Sequence, residues 1–188
     1  MRTDIIDYLE KEIKHRCSSR ANFFGMGVFY HIRAVADNAA YLAKEYGADV
    51  EIVTIAAWLH DIASITNYNL YDEHHIHGMA IAEQILSEFS YEPEKIERVK
   101  KCIYSHRGSK QKEKLTLEEI CVADADAISH FDSVPSLFYL AYVNRNLSIE
   151  EGTEFVKNKL TRSYNKLSER SKEIYKQKYD SIMKTISP

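Results

Sequence analysis

Apolar residues recur along this chain at the spacing of helices, not in the alternation of strands. From Asp4 to His15, and again from His31 to Tyr46, apolar side chains stand three and four residues apart, which predicts two amphipathic helices. Residues 50–59 are almost all apolar, so this segment is predicted to be a central helix surrounded on most sides. Further helices are predicted over 77–89, 94–107, 116–130, 134–144, from 148 into the C-terminal region, and over 168–186.

Residues that begin and end helices stand between these segments. Gly47 is a natural end for the second helix, and Thr116 and Ser148 each begin a capping-box sequence. Two longer loops are predicted. The first, 17–30, sets aromatic residues around glycines and is expected to pack onto the body of the protein, and the second, 64–75, is rich in tyrosine and asparagine and could line the mouth of a site.

The pattern predicts an all-α fold, a compact bundle of roughly eight helices joined by short loops. The 188 residues are 45% apolar, which is enough for a substantial core, and the scarcity of proline (3) and glycine (6) also favours helices over turn-rich β-structure. A single domain over residues 1–188 is expected, with C-terminal helices over 148–186 packed on a core over 20–140.

Charge is unevenly distributed along the chain. The formal net charge of −3 gives no global attraction to nucleic acid. From Lys157 to the end, however, nine basic residues accompany only three acidic ones. These charges are interleaved with tyrosine and leucine, which favours a solvated helix face over a surface for a polyanion.

Cysteine usage and hydropathy indicate the compartment. The three cysteines, Cys17, Cys102 and Cys121, are scattered and form no C-x-x-C pair, so neither a disulfide framework nor a zinc knuckle is predicted. The N-terminal segment is acidic and amphipathic, unlike a signal peptide. No apolar run approaches the roughly 20 residues of a membrane span. A cytoplasmic protein in a reducing compartment is expected.

Several histidine and aspartate residues lie on or beside apolar helical stripes. Burying an unpaired carboxylate costs several kcal/mol, so such a group should be paired or bound to a metal. Imidazole together with carboxylate suits first-row divalent ions, and the lack of cysteine ligands favours a catalytic site over a structural zinc site. The candidates are His31, His60, Asp61, His77, His106 and one of Asp124 or Asp126. The other histidines are interpreted as ordinary surface or core residues; these are His15, His74, His75 and His130.

The order of the candidates resembles the signature of the HD-domain superfamily of metal-dependent phosphohydrolases, H…HD…D spread over several helices. Two further segments are similar to the family pattern, a helix start that runs His77-Gly78-Met79-Ala80 and a later I-x-x-H. The matching positions are His31, His60-Asp61, His77-Gly78, His106 and Asp126. The resemblance covers residues 20–140 and implies a helical fold of the HD type.

The resemblance implies that His31, His60, Asp61 and Asp126 bind one divalent metal ion, which could be Mn, Fe, Ni, Co, Zn or Mg. Helical periodicity alone does not choose between Asp124 and Asp126, whose side chains point roughly 160° apart on a helix. The family pattern favours Asp126, because its last aspartate stands two residues before an apolar residue.

The same resemblance gives two roles to the remaining histidines. In binuclear members the residues corresponding to His77 and His106 help to hold a second metal, whereas in mononuclear members they line the substrate pocket. The second role is favoured because no additional carboxylate ligand is evident. The candidate catalytic residues are therefore His77, His106 and Asp61, the last as a group that orients the attacking water.

The implied reaction is metal-assisted hydrolysis of a small phosphate ester or anhydride, with a nucleotide as the favoured substrate. The ion would lower the pKa of a bound water toward ~7, and cationic side chains would offset charge on the phosphoryl oxygens. Candidates for that role are Arg20, Arg33, Arg107 and Lys110. Residues 62–64 match neither the nucleotidase nor the cyclic-dinucleotide subfamily pattern, so the chain is assigned to neither subfamily.

The competing hypothesis is a non-catalytic module that keeps the HD fold and binds or senses a ligand. Under either hypothesis the expected partner is a small phosphorylated molecule. No membrane partner is expected, nucleic acid is disfavoured, and a homodimer is compatible with the sequence.

Overall fold

The computed structural model describes residues 1–20, 22–107 and 114–186, and every regular element within these ranges is helical. The α-helices are α1 (Thr3–Ser18), α2 (Met26–Tyr46), α3 (Val50–Leu59), α4 (Ile62–Thr66), α5 (His74–Glu88), α6 (Pro93–Ser105), α7 (Leu117–Asp132), α8 (Val134–Tyr139), α9 (Ile149–Lys166) and α10 (Glu169–Thr185). A 3₁₀ segment, Tyr68–Glu73, precedes α5, and a π-helical segment, Leu140–Asn144, continues α8. The all-α prediction is confirmed.

Helix α3 lies at the centre of the bundle. All of its residues from Ile52 to Leu59 are buried, because α1, α2, α6 and α7 pack around it. Its first turn is fixed by Asp49, whose side chain accepts the backbone N–H groups of Glu51 and Ile52. A helix buried on all sides needs the nearly continuous apolar sequence seen here.

The helix-end signals act as predicted. Gly47 ends α2 in the left-handed conformation, with φ 78°, which glycine adopts without steric cost. Ser148 and Glu151 form a complete capping box at the start of α9. The hydroxyl of Thr116 accepts the N–H of Glu119 at the start of α7.

Two boundaries differ from those predicted. Helix α2 begins at Met26, not His31, because Phe29 continues the buried stripe of Ile32 one turn earlier and packs near the ring of Trp58. The segment 64–75, predicted to be a loop, is largely helical, and α5 already begins at His74. In α2 the glycines Gly25 and Gly27 conceal the first turn, and in α5 the histidine-rich first turn carries too few apolar residues for the sequence pattern to show it.

The C-terminal helices pack against α7. Helix α9 contacts α7 and α8, and α10 contacts α7 and α9. The fully buried carboxylate of Asp124 accepts hydrogen bonds from the backbone N–H and the hydroxyl of Ser168, the residue that caps α10. The face of α7 that carries Asp124 therefore anchors α10. The opposite face of α7 makes different contacts. Among the described residues, no helix is long and apolar enough to cross a membrane.

Candidate metal centre

His60 and Asp61 occupy the break between α3 and α4. His60 still has helical dihedral angles, whereas Asp61, with φ −108° and ψ 13°, leaves the helix. The chain turns here, so the Asp61 carboxylate projects beside the imidazole of His60, with Oδ2 lying 3.5 Å from Nε2. The hydroxyl of Ser64, one turn into α4, lies 3.5 Å from the other carboxylate oxygen.

The crossing of α2 and α7 brings His31 to the same place. Its Nε2 lies 3.4 Å from Oδ1 of Asp126 and 3.9 Å from Oδ2 of Asp61. Its Nδ1 lies 2.9 Å from the hydroxyl of Ser129, which in turn donates to the carbonyl of Asp126. With its proton committed to that carbonyl, the hydroxyl accepts from Nδ1–H of His31, and Nε2 keeps its lone pair.

Two more histidines complete the cluster from α5 and α6. His74 is the first residue of α5, and its Nε2 lies 3.4 Å from Oδ1 of Asp61. His106 follows the last residue of α6, and its Nε2 lies 3.1 Å from Nε2 of His74. Both side chains are buried. Asp61 is thus surrounded by four imidazoles.

Three of these imidazoles are oriented by the same contact. In each, Nδ1 meets the backbone carbonyl three residues earlier, and because a carbonyl only accepts, Nδ1 must carry the proton. The pairs are His60 with Ala57 (2.7 Å), His74 with Tyr71 (2.6 Å) and His106 with Ile103 (2.6 Å). Each Nε2 lone pair is therefore directed into the cluster.

This arrangement fits a bound cation. Nε2 of His60 is buried and has no hydrogen-bond partner among the described residues. The Nε2 atoms of His74 and His106 face each other as two acceptors, a contact that repels unless a cation or a proton lies beside them. Buried lone pairs without donors are costly. A divalent ion suits neutral imidazole and carboxylate ligands. An ion held with His31 and Asp61 would satisfy Nε2 of His60, and a cation beside Asp61 would satisfy the other two.

The ligand atoms form overlapping groups, each compact enough to hold an ion. Within each group the ligand atoms lie within 4.8 Å of one another. The groups are His31, His60 and Asp61; Asp61, His74 and His106; and His31, Asp126 and His130. Asp61 joins the first group to the second, and His31 joins the first group to the third.

The charges of the cluster support ligation by carboxylates and neutral imidazoles. Burial raises the pKa of Asp61, but the surrounding imidazoles, His60 first and then His74, lower it by more, to below its ordinary value. Burial raises the pKa of Asp126, but His31, His130 and Lys166 together bring it well below its ordinary value. Burial, with a contribution from His60, lowers the pKa of His106 to about 3. Both carboxylates are therefore ionised and His106 is neutral near pH 7.

A cavity of about 780 Å³ opens onto this cluster. Its size is in the range of small-molecule sites. Phe24, Tyr71 and Leu137 give it an apolar portion. The cations that line it are Arg107, Lys114, Lys159, Arg162 and Lys166, the last three of which are on α9.

The structure brings three of the predicted metal ligands, His31, His60 and Asp61, into one group of ligand atoms and adds the predicted His106 through Asp61. The fourth, Asp126, joins this group through His31, whose Nε2 is 3.4 Å away. The structure does not bring in His77, which is exposed on α5 one helical position away from the buried face. The prediction that His77 lines the pocket is thus at odds with the structure, because the buried stripe of α5 runs through Gly78 and His74.

Of the four predicted phosphate-binding cations, one lines the cavity and two do not. Arg107 lines the cavity and donates to the backbone carbonyl of Asp72. Arg20 and Arg33 are exposed and do not line it, Arg33 because it lies two residues from His31 on the opposite face of α2. Lys110 lies outside the described residues.

The structure also shows functional candidates that the sequence analysis missed. His74 was assigned to a solvated turn together with His75, yet both are buried. His130, interpreted as an ordinary core histidine, is buried beside the ring of His31 and lines the cavity. A signal for His74 exists in its spacing, because Gly78 and Ala82 follow it at intervals of four residues along one face.

The two aspartates of α7 should give opposite phenotypes. Asp126→Ala is expected to lower metal content with little loss of stability, because it removes a carboxylate from the cluster. Asp124→Ala is expected to keep the metal but to lower the free energy of unfolding by about 3 kcal/mol, because it breaks two buried hydrogen bonds to Ser168. Metal analysis and chemical denaturation of both variants provide the check. If Asp124→Ala lost its metal while Asp126→Ala kept it, Asp124 and not Asp126 would be the metal ligand.

Comparison with known proteins supports a family relationship. The family model described as HD domain matches residues 28–130. Among curated proteins, Ribonuclease Y of Petrotoga mobilis is 32% identical over 106 residues, which is 56% of this chain and 19% of that protein. Ribonuclease Y of Rubrobacter xylanophilus is 30% identical over 117 residues, 62% of this chain and 20% of that protein. The chain thus spans about one fifth of the length of these relatives.

Solved structures show a likeness over nearly the whole chain. Bacillus subtilis YpgQ superposes with a TM-score of 0.71 at 18% identity, covering 98% of this chain and 92% of that one. The structure of YpgQ in complex with ADP superposes with a TM-score of 0.68 at 17% identity, covering 96% and 93%. At this identity the likeness concerns the fold.

Proposed function

Because this chain belongs to the HD-domain family, we propose that it is a divalent-metal-dependent phosphohydrolase acting on a small phosphate ester or anhydride, with nucleotides as the substrate class. The observation that carries the proposal is the convergence of Nε2 lone pairs and ionised carboxylates at one buried end of a ligand-sized cavity. Such a cluster is costly to build and has little structural use without an ion.

The proposed metal ligands are His31, His60, Asp61 and Asp126. When bound, a divalent ion supplies electrophilic stabilisation of phosphoryl oxygens and makes a water molecule nucleophilic near neutral pH. His74 and His106 reach the same place through Asp61 and each other. They are proposed either to contact the phosphoryl group or to hold a second ion with Asp61.

The protein's own groups orient the reactants. Hydrolysis forms a bond from the water oxygen to phosphorus and breaks the bond from phosphorus to the leaving oxygen. The ionised Asp61 is placed to accept a hydrogen bond from the water and so to orient it. Because burial lowers the pKa of His106 to about 3, this side chain is neutral near pH 7 and has no extra proton to supply. The proton that the leaving oxygen gains therefore comes from another group or from solvent.

Nucleotides are proposed as substrates from two observations. YpgQ, whose fold matches 96% of this chain, was crystallised with ADP. The cavity here combines aromatic side chains, Phe24 and Tyr71, with several cations, which suits a ligand with one planar and one anionic part. A second candidate is a phosphodiester in RNA, favoured by the similarity to proteins named Ribonuclease Y.

The test is a metal analysis of the purified chain joined to two activity screens. One measures release of phosphate or pyrophosphate from nucleotides, and the other measures shortening of an RNA chain on a gel. ADP, ATP, AMP and a short RNA are each incubated with Mn²⁺, Co²⁺, Ni²⁺ or Mg²⁺. We expect bound metal and phosphate or pyrophosphate release from at least one nucleotide. Cleavage of RNA alone would select the second candidate. ADP binding with metal but without any hydrolysis would establish the non-catalytic module instead.

A further inference from the structure

Helix α9 presents a row of cations to the cavity beside the metal centre. Lys159, Arg162, Ser163 and Lys166 all line the cavity, and their spacing of three and four residues places them on one face of the helix. They lie beyond residue 130, where the match to the family model ends. The face formed by these four residues is called the α9 basic face below.

Ser163 joins this face to the metal centre. Its hydroxyl lies 3.2 Å from Nδ1 of His130, and the ring of His130 lies 4.9 Å from that of His31. Lys159 is one turn before Ser163 and Lys166 is almost one turn after it. A ligand group that reaches the metal centre is therefore within reach of α9.

Among the residues that the structure describes, the cations of the α9 basic face form no salt bridge. Within residues 1–20, 22–107 and 114–186, no carboxylate lies within salt-bridge distance of Lys159, Arg162 or Lys166. Arg162 stands three residues from Lys159 and four from Lys166, positions at which like charges repel each other on a helix. Burial lowers the pKa of Lys159, and Lys166 and Arg162 lower it further, against the opposing effect of Asp126 and Asp61.

Such an arrangement is unfavourable in the free protein and becomes favourable with an anion. A partly buried ammonium group without a counter-ion has lost hydration and gained no partner. A solvated helix face, the interpretation favoured from the sequence, would instead point its charged ends away from the body. Lys159 and Lys166 are partly buried and line the cavity.

We propose that the α9 basic face is a binding subsite for the additional phosphates of a substrate whose reacting phosphate lies at the metal centre. The inference rests on the function proposed above and narrows it. The substrate would carry at least two contiguous phosphates, as in a nucleoside diphosphate or triphosphate, and not a single phosphomonoester. Lys159 and Lys166 would act as specificity-determining residues, each through a charge-assisted contact.

Pyrophosphate binding tests the subsite without requiring hydrolysis. Inorganic pyrophosphate and inorganic phosphate are titrated calorimetrically into the full chain and into Lys159→Gln and Lys166→Gln. Each variant is expected to weaken pyrophosphate binding about tenfold or more, the effect of losing a hydrogen bond to a charged group, and to weaken phosphate binding less. Lys157→Gln, on the same helix but outside the cavity lining, is the matched control and should bind pyrophosphate as the parent does.

A kinetic comparison separates the subsite from the rest of the site. For ADP, the KM of Lys159→Gln should rise about tenfold, whereas the affinity for AMP, measured by calorimetry, should fall less than the affinity for ADP. Lys159→Arg, which keeps the charge, should restore most of the affinity. Melting temperatures serve as the control for folding and should not fall, because neutralising one cation relieves repulsion within α9. If one variant does not fold, the other carries the test.

The outcomes distinguish this inference from the proposed function. Equal pyrophosphate affinity in the parent, Lys159→Gln and Lys166→Gln, or no binding by the parent at millimolar concentration, would overturn the subsite even if the parent hydrolyses ADP. Weakened pyrophosphate binding in both variants, together with a parent that hydrolyses no nucleotide, would support the subsite and refute the hydrolytic function.

Discussion

Replacing Asp61 with alanine is expected to abolish metal binding and to lower any phosphohydrolase activity by more than about 100-fold. Loss of a residue that only supports a metal ligand already costs up to about 100-fold, and loss of a ligand should cost more. The reason is the shared position of Asp61: its two carboxylate oxygens face His60 on one side and His74 on the other. No other residue of the cluster joins these two groups of ligands. His60→Ala should lose metal as well, because it removes a buried ligand atom that has no hydrogen-bond partner among the described residues.

The measurement is metal content per chain together with phosphate release, and circular dichroism shows whether the helices remain. Asp37→Ala is the control, since Asp37 is an exposed aspartate on α2 and its loss should change neither quantity. An Asp61→Ala variant that hydrolyses substrate as well as the parent would show that the cluster is not the active site. We expect the variant to stay helical, because Asp61 lies between α3 and α4 and its side chain does not cap α4.

Exchanging His74 for alanine is expected to reduce phosphate release about 100-fold or more, as does loss of a group that stabilises a developing charge. His77→Ala is the matched control, three residues later on the same helix. His77 is exposed and outside the cluster, so its loss should change the rate no more than about twofold, as for ordinary surface substitutions. His74→Ala removes an imidazole that faces the cluster, whereas His77→Ala removes one that is exposed.

Metal analysis of His74→Ala decides its role. A loss of one ion per chain would assign His74 to a second metal with Asp61 and His106. Unchanged metal with a lower rate would assign it to the phosphoryl group. The reverse phenotype, an active His74→Ala and an inactive His77→Ala, would contradict the orientation of α5 described above.

Much of the helical framework follows from the sequence alone. The bounds predicted for α3 are those observed, because a helix buried on all sides is almost wholly apolar and ends where the polar doublet His60-Asp61 begins. Asp126 faces His31, and Asp124 faces α10. Helical spacing requires the two side chains to lie on opposite faces of α7, but the family pattern was needed to choose which one faces the metal centre. The choice could not come from periodicity, since both residues are buried.

His74 shows where local pattern reading failed. Three histidines stand within four residues, and only the register of α5 selects the one that faces the cluster. Extending the buried stripe back from Ile85 through Ala82 and Gly78 would have selected His74. The predicted start of the helix at His77 placed that position in a loop instead.

The α9 basic face shows a different difficulty. Its spacing was visible in the sequence, but spacing tells only that residues share a face, not what that face meets. Whether the cations of α9 point to solvent or into a cavity depends on how the helix packs against α7 and α8. That packing joins segments distant in the chain, and charge composition does not encode it.

The backbone contacts of His60, His74 and His106 have a consequence for sequence drift. Because each ring is held by a main-chain oxygen, the side chains of Ala57 and Ile103 take no part in these hydrogen bonds, whereas the ring of Tyr71 also stacks on His74. Homologues can therefore exchange residues 57 and 103 without removing the hydrogen bond that orients His60 or His106. Methods that search for co-varying pairs would find no partner for these two histidines at those positions.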